Sequence, residues 1–171
     1  MAENAEQIDE ARKNDYIAPL TKKQDSEGSN FSALDYAGTI DFTYPKATEW
    51  YKGLLKNLLD MGVTCIKTDF GENIHMDALY KGMRPELLNN LYALLYQKAA
   101  YEITKDVTGD GIVWARSAWA GCQRYPLHWG GDSCSSWDGM AGSLKGGLHF
   151  GFPDLHSGAM MFRDSIHYLT S

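Results

Sequence analysis

The chain has 171 residues, a formal net charge of −6, and a composition that is 44% hydrophobic and 22% charged. That balance is ordinary for a globular protein with one sizeable core. It offers no basic cluster for nucleic acid and no apolar run of bilayer length.

The N-terminus, MAENAEQIDEARKNDY, is polar and helical in character. It lacks the basic start and apolar core of a secretory signal. Residues 6–14 read as a short helix, and residues 18–38, rich in Lys, Asp, Ser and Gly, as a surface excursion. TIDF (40–43) reads as a short strand. Pro45 and Ala47 open a helix through WYKGLLKNLLDM, with Trp50, Leu54, Leu55, Leu58 and Leu59 on one face, and Gly62 stops it. VTCIKTD (63–69) is the next strand. PELLNNLYALLYQKAAYEITKDV (85–107) is a long helix with Pro at its start. GDG (109–111) turns into the strand IVWARS (112–117), and YPLHWGGD (125–132) reads as another strand. SSWDGMAGSLKGG (135–147) is a helix capped by serines. The three cysteines, Cys65, Cys122 and Cys134, are an odd count and point to free thiols in a reducing, cytoplasmic setting. Cys65 reads as a small buried residue of its strand.

Strands alternating with helices predict an α/β fold with a parallel sheet. Two features favour a barrel over an open doubly wound sheet. No glycine-rich phosphate loop follows a strand. Successive strands also end in functional groups: Lys67 and Asp69, then Arg116, then Asp132. In a (β/α)8 TIM barrel the active site gathers at such strand ends. Side chains alternate along a strand, so Lys67 and Asp69 point the same way. A whole barrel takes about 250 residues. The chain therefore reads as a partial barrel, about the middle half, and as a fragment.

Retaining glycoside hydrolysis needs two carboxyl groups, one attacking the anomeric carbon and one protonating the leaving oxygen, about 5–5.5 Å apart. Asp69 and Asp132, each closing a strand, are placed for this pair, with Lys67 supplying a cation beside Asp69. Either aspartate taken singly reads as an ordinary loop or cap residue. Local context decides. IKTDFGE (66–72) resembles the nucleophile motif of glycoside hydrolase family 31, in its α-xylosidase-like form. ARSAWAGCQRYPLHWGGD (115–132) resembles the family's next block, and IDFTYPKATEWY (40–51) the segment before the nucleophile. The resemblance spans roughly residues 40–150.

The resemblance implies roles. Asp69 would be the nucleophile and Asp132 the acid/base. Lys67 and Arg116 would bind sugar hydroxyls, and Phe70 and Trp129 would line the sugar subsite. The bland readings stand beside these: Arg116 as a structural partner of a carboxylate, Trp114 and Trp119 as core, Glu72 as a supporting acid, His128 as a strand or supporting group. His75, His149, His156 and His167 lack metal-ligand spacing and read as surface residues. The chemistry implies no cofactor and no metal. The substrate would be an oligosaccharide or small glycoside carrying terminal α-linked xylose, or glucose as runner-up. A homo-oligomeric parent is compatible with it.

The match to the family stops after GGLHFG (146–151). This divides the chain into a partial barrel, 1–150, and a divergent tail, 151–171. Met160, Met161 and Phe162 force ATG-ATG-TTY, which reads Asp-Val in a shifted frame, where the family's next strand places Asp and an apolar residue. The tail therefore reads as a frameshifted copy of that strand. Family members also carry an N-terminal β domain and earlier barrel strands upstream. Two other function classes stand beside the glycosidase: an inactive carbohydrate-binding or interaction module, and a non-functional reading-frame product.

Overall fold

The computed structural model describes residues 2–21 and 38–151. The tail beyond 151, including His156 and His167, and most of the 18–38 excursion lie outside the described residues.

Helix α1, Ala2–Lys13, is followed by two isolated antiparallel bridges, Ile17 to Ile40 and Leu20 to Ala78. Helix α2 is Pro45–Asp60, with proline at its first position, where the missing N–H costs nothing. Gly62, at φ +104, turns the chain out of it. Strand β1 is Ile66–Thr68. Helix α3, Pro85–Thr108, again starts on proline and ends on Gly109 in the left-handed region, whose N–H donates to Lys105 O. Strand β2 is Val113–Ala115, Cys122–Arg124 forms a 3-10 turn, and helix α4 is Trp137–Gly151. Ser136 caps α4 by accepting the Gly139 N–H at 3.0 Å.

β1 and β2 pair in parallel, with Ile66 opposite Val113, Lys67 opposite Trp114 and Thr68 opposite Ala115. Helix α3 is the crossover between them. Strand alternation sends Ile66, Thr68, Val113 and Ala115 into the protein, where all four are buried, and turns Lys67 to the opposite, open face. One core cluster joins Leu55 and Leu59 of α2 to Ile66, Ala100, Val113 and Tyr125. A second holds Phe42, Ile74, Leu88, Tyr92 and Ala99, with Phe42 stacked on Tyr96 at 5.5 Å. The described sheet does not close on itself.

Three expectations change. TIDF is a turn with a single bridge at Ile40. The buried Asp41 carboxylate accepts from the Thr43 N–H (3.0 Å), the Thr43 hydroxyl and the Lys81 N–H (2.7 Å). An aspartate that satisfies nearby N–H groups itself replaces a strand ladder with a turn. Residues 125–132 follow β2 in parallel without forming a regular strand. Val113 N donates to Pro126 O (2.9 Å), Ala115 N to Leu127 O (2.9 Å) and Trp129 N to Ala115 O (3.0 Å). Pro126 has no N–H to give, and Gly131 at φ +77 turns the segment away. Cys65 is exposed rather than buried, because it shares the parity of Lys67 and faces the open side of the sheet. All three cysteines are free thiols.

Candidate active site

The end of β1 carries the site's centre. Asp69 follows Thr68, and its Oδ1 accepts the Phe70 N–H at 2.9 Å. Phe70 sits at φ +60 and Gly71 at φ +90, so two consecutive left-handed residues swing the chain sharply off the strand. Such conformations at a non-glycine residue are uncommon and gather at functional sites. Here they leave the Phe70 ring 52% exposed.

Arg116, one residue past β2, reaches across to this turn. Its Nη1 lies 2.9 Å from Asp69 Oδ1, while Nε and Nη2 grip the two oxygens of Glu72, the latter at 3.2 Å. The guanidinium also stacks over the Phe70 ring at 4.2 Å. The Glu72 hydrogen bond, with the charges of Glu72, Asp69 and Asp132, raises the Arg116 pKa against the smaller opposing effect of its burial. Two carboxylates thus grip one guanidinium, a cation that stays charged throughout. The Lys67 ammonium approaches Asp69 Oδ2 at 3.5 Å and lies over the Trp129 ring at 4.6 Å. Trp129 itself is 5% exposed.

The structure therefore brings Lys67, Asp69, Phe70, Arg116 and Trp129 into one contact network. Asp132 enters it through its charge on Arg116. Arg116 is tied to carboxylates, and Glu72 is its bidentate partner, as the plainer readings of both residues held. His128 is half-buried, its Nε2 is 3.3 Å from Cys122 O, and burial lowers its pKa. Trp119 is 49% exposed rather than core, because its loop runs over the open end of β2. It lines a groove of about 1110 Å³ with Arg116, Trp129 and the glycine face of α4 at Gly139, Gly142 and Gly146.

Sequence reasoning overlooked Tyr96 and Gln97 of α3. The Tyr96 hydroxyl donates to Asp69 O at 3.3 Å. Gln97 lies fully buried between Thr68 and Ser117. A signal existed: Gln97 is a polar residue on the buried stripe of Ala93, Ala100 and Thr104. Among the described residues, no three His, Cys, Asp or Glu side chains come together to hold a metal ion. Among them also, no helix is long and apolar enough to cross a membrane.

A parallel βαβ unit that gathers carboxylates, a guanidinium and aromatic rings at its strand ends defines a segment of a (β/α)8-barrel enzyme domain. Residues 1–157 match the glycosyl hydrolases family 31 TIM-barrel domain, and the chain belongs to that family. It is 45% identical over 116 residues to an α-xylosidase of Emericella nidulans, a match covering 66% of this chain and 15% of that protein. It is 43% identical over 84 residues to the α-xylosidase XylQ of Lactiplantibacillus pentosus, covering 47% of this chain and 11% of that one. Among solved structures, a GH31 sulfoquinovosidase from E. rectale in complex with an aza-sugar inhibitor superposes with a TM-score of 0.70 at 28% identity, over 91% of this chain and 25% of that chain. The chain thus spans a small part of the length of the relatives it matches.

Proposed function

We propose that this segment supplies the catalytic carboxylates of a retaining α-glycosidase acting on terminal α-linked xylose in oligosaccharides or small glycosides. The observation that carries the reading is the convergence of Asp69 and Glu72 on Arg116, with Lys67 beside Asp69, at the C-terminal ends of the paired parallel strands. Likeness to two α-xylosidases above 40% identity supports xylose over glucose.

In this mechanism Asp69 attacks the anomeric carbon as the bond to the leaving oxygen breaks. Asp132 gives that oxygen its proton. Asp132 then takes a proton from water, which attacks the anomeric carbon and releases Asp69. Asp69 Oδ1 is held by Arg116 and the Phe70 N–H, each at 2.9 Å. Oδ2, with its looser 3.5 Å contact to Lys67, is the oxygen we assign to attack. Glu72 keeps Arg116 in place. The Phe70 and Trp129 rings offer apolar faces to the sugar.

The test uses a complete enzyme made by placing this segment in the Emericella nidulans α-xylosidase in exchange for the matching one. A 5-fluoro-xylosyl fluoride is expected to label Asp69 covalently, read by mass spectrometry of the peptides. Labelling at Glu72 or Asp77 would overturn the assignment. The ratio of kcat/KM on p-nitrophenyl α-xyloside and α-glucoside decides the sugar. A ratio favouring glucose would move the reading to an α-glucosidase.

A further inference from the structure

We infer that Gln97 is a positioning residue that holds the end of the nucleophile strand against the Arg116–Ser117 segment just past β2, an inference that rests on the function proposed above. Gln97 sits mid-way along α3 and contacts no part of the open face. Its carboxamide bridges the two strands from behind. The Thr68 hydroxyl donates to Gln97 Oε1, and Gln97 Nε2 donates to Ser117 Oγ at 3.0 Å, with Ser117 O at 3.4 Å. Thr68 and Gln97 have no measurable exposure, and Ser117 has 2%.

The anchors are adjacent in sequence to the chemistry. Thr68 precedes Asp69 and Ser117 follows Arg116. Each end of the amide can serve only one strand, since Oε1 accepts and Nε2 donates. The bridge therefore holds Thr68 and Ser117 at one separation beyond the backbone ladder that sets the register, one residue from the 2.9 Å contact of Arg116 with Asp69. Packing alone does not require a glutamine. Ala93 and Ala100 fill the same buried stripe with apolar side chains. A buried amide with satisfied partners specifies the position of the groups it bonds, whereas an apolar contact of equal volume constrains them less. Gly71 reinforces the point: a side chain there would meet the same Ser117 hydroxyl, so the 69–71 turn closes directly onto the clamp.

The test separates position from stability. In the complete enzyme, Gln97→Met takes the amide from the buried Ser117 hydroxyl and leaves the Thr68 hydroxyl its long 3.4 Å bond to Trp114 O, and it is expected to lower both the melting temperature and kcat. The triple variant Thr68→Val, Gln97→Met, Ser117→Ala removes every partner together, which is close to neutral for folding. Its melting temperature is expected to return, while kcat stays about 10–100-fold down with little change in KM. Its crystal structure is expected to show Arg116 Nη1 and Asp69 Oδ1 further apart than 2.9 Å. Recovery of kcat together with the melting temperature would overturn the inference, as would a Gln97→Met enzyme of unchanged kcat. If the triple variant does not fold, the milder Ser117→Ala decides by whether kcat falls at constant KM. If the unmodified enzyme turned over no glycoside, the proposed function would fail. The Arg116–Asp69 separation in the crystals would still decide the clamp.

Discussion

Gly71→Ala is the sharpest single perturbation this site offers, because the strain and the clash it introduces can be worked separately. Gly71 has φ +90, and a Cβ there would lie 2.7 Å from Tyr96 Cδ1 and 2.8 Å from Ser117 Oγ. Holding alanine in that backbone region costs about 1–3 kcal/mol. Forcing the overlapping atoms apart costs about another 1–3 kcal/mol. The reduced freedom of the unfolded chain offsets about 0.4–1 kcal/mol. Gly62→Ala is the control: Gly62 has φ +104, and nothing lies within 4 Å of the added carbon. It carries the backbone strain without the clash. Gly71→Ala should therefore be less stable than Gly62→Ala by about 1–3 kcal/mol, read as the difference in urea midpoints of the complete enzyme. The two atoms it strikes also hold the site, since Tyr96 donates to Asp69 O and Ser117 follows Arg116. A shift near 1 Å there lowers kcat by about 10²-fold, whereas Gly62→Ala, in the turn between α2 and β1, should leave kcat near the unmodified value. Equal stability and equal kcat in the two variants would refute the reasoning.

Two further outcomes follow from the roles and the burial. Asp132→Ala should cost about 10²–10⁴-fold in rate on glycosides whose leaving group is a sugar, and much less on aryl glycosides that need little protonation; equal losses on both would count against Asp132 as the acid/base. Burial lowers the His128 pKa below its ordinary 6.5, so on acidification the unfolded state takes up the proton first. Stability should fall as pH drops through about 6.5, and His128→Gln should flatten that decline in the urea midpoint between neutral pH and about pH 5.5; an identical decline in both proteins would sink the assignment.

What the sequence made legible was local. Pro85 and Gly109 mark the two ends of α3 because a missing N–H and a left-handed residue are tolerated only there. Asp69 and Arg116 were readable because each lies within a residue or two of a strand end. What escaped depended on partners remote in sequence. TIDF became a turn because the Asp41 carboxylate reaches Lys81 N, 40 residues on. Cys65 and Trp119 were assigned to the core by type, yet their exposure is set by which face of the sheet is covered. Gln97 lay in plain view on an apolar stripe, but its partners Thr68 and Ser117 are 29 and 20 residues away, one ending β1 and the other just past β2.

In the proposed mechanism the two carboxylates have different tasks, and their settings differ to match. Asp69 is fixed by groups that the βαβ unit supplies itself: Arg116 just past β2, the backbone N–H of Phe70, and Tyr96 of α3 on its carbonyl. A nucleophile that must meet one carbon atom gains from such fixity, because misplacement is costly in rate. Asp132 follows Gly130 and Gly131, is exposed, and belongs to a segment tied to β2 by a few backbone bonds rather than a full ladder. An acid that becomes a base within one cycle must meet first the leaving oxygen and then a water. Under the proposed roles, the clamp centred on Gln97 bears on the first step, bond formation by Asp69, more than on proton transfer by Asp132. Its loss should slow formation of the covalent intermediate while leaving the leaving-group dependence governed by Asp132 unchanged.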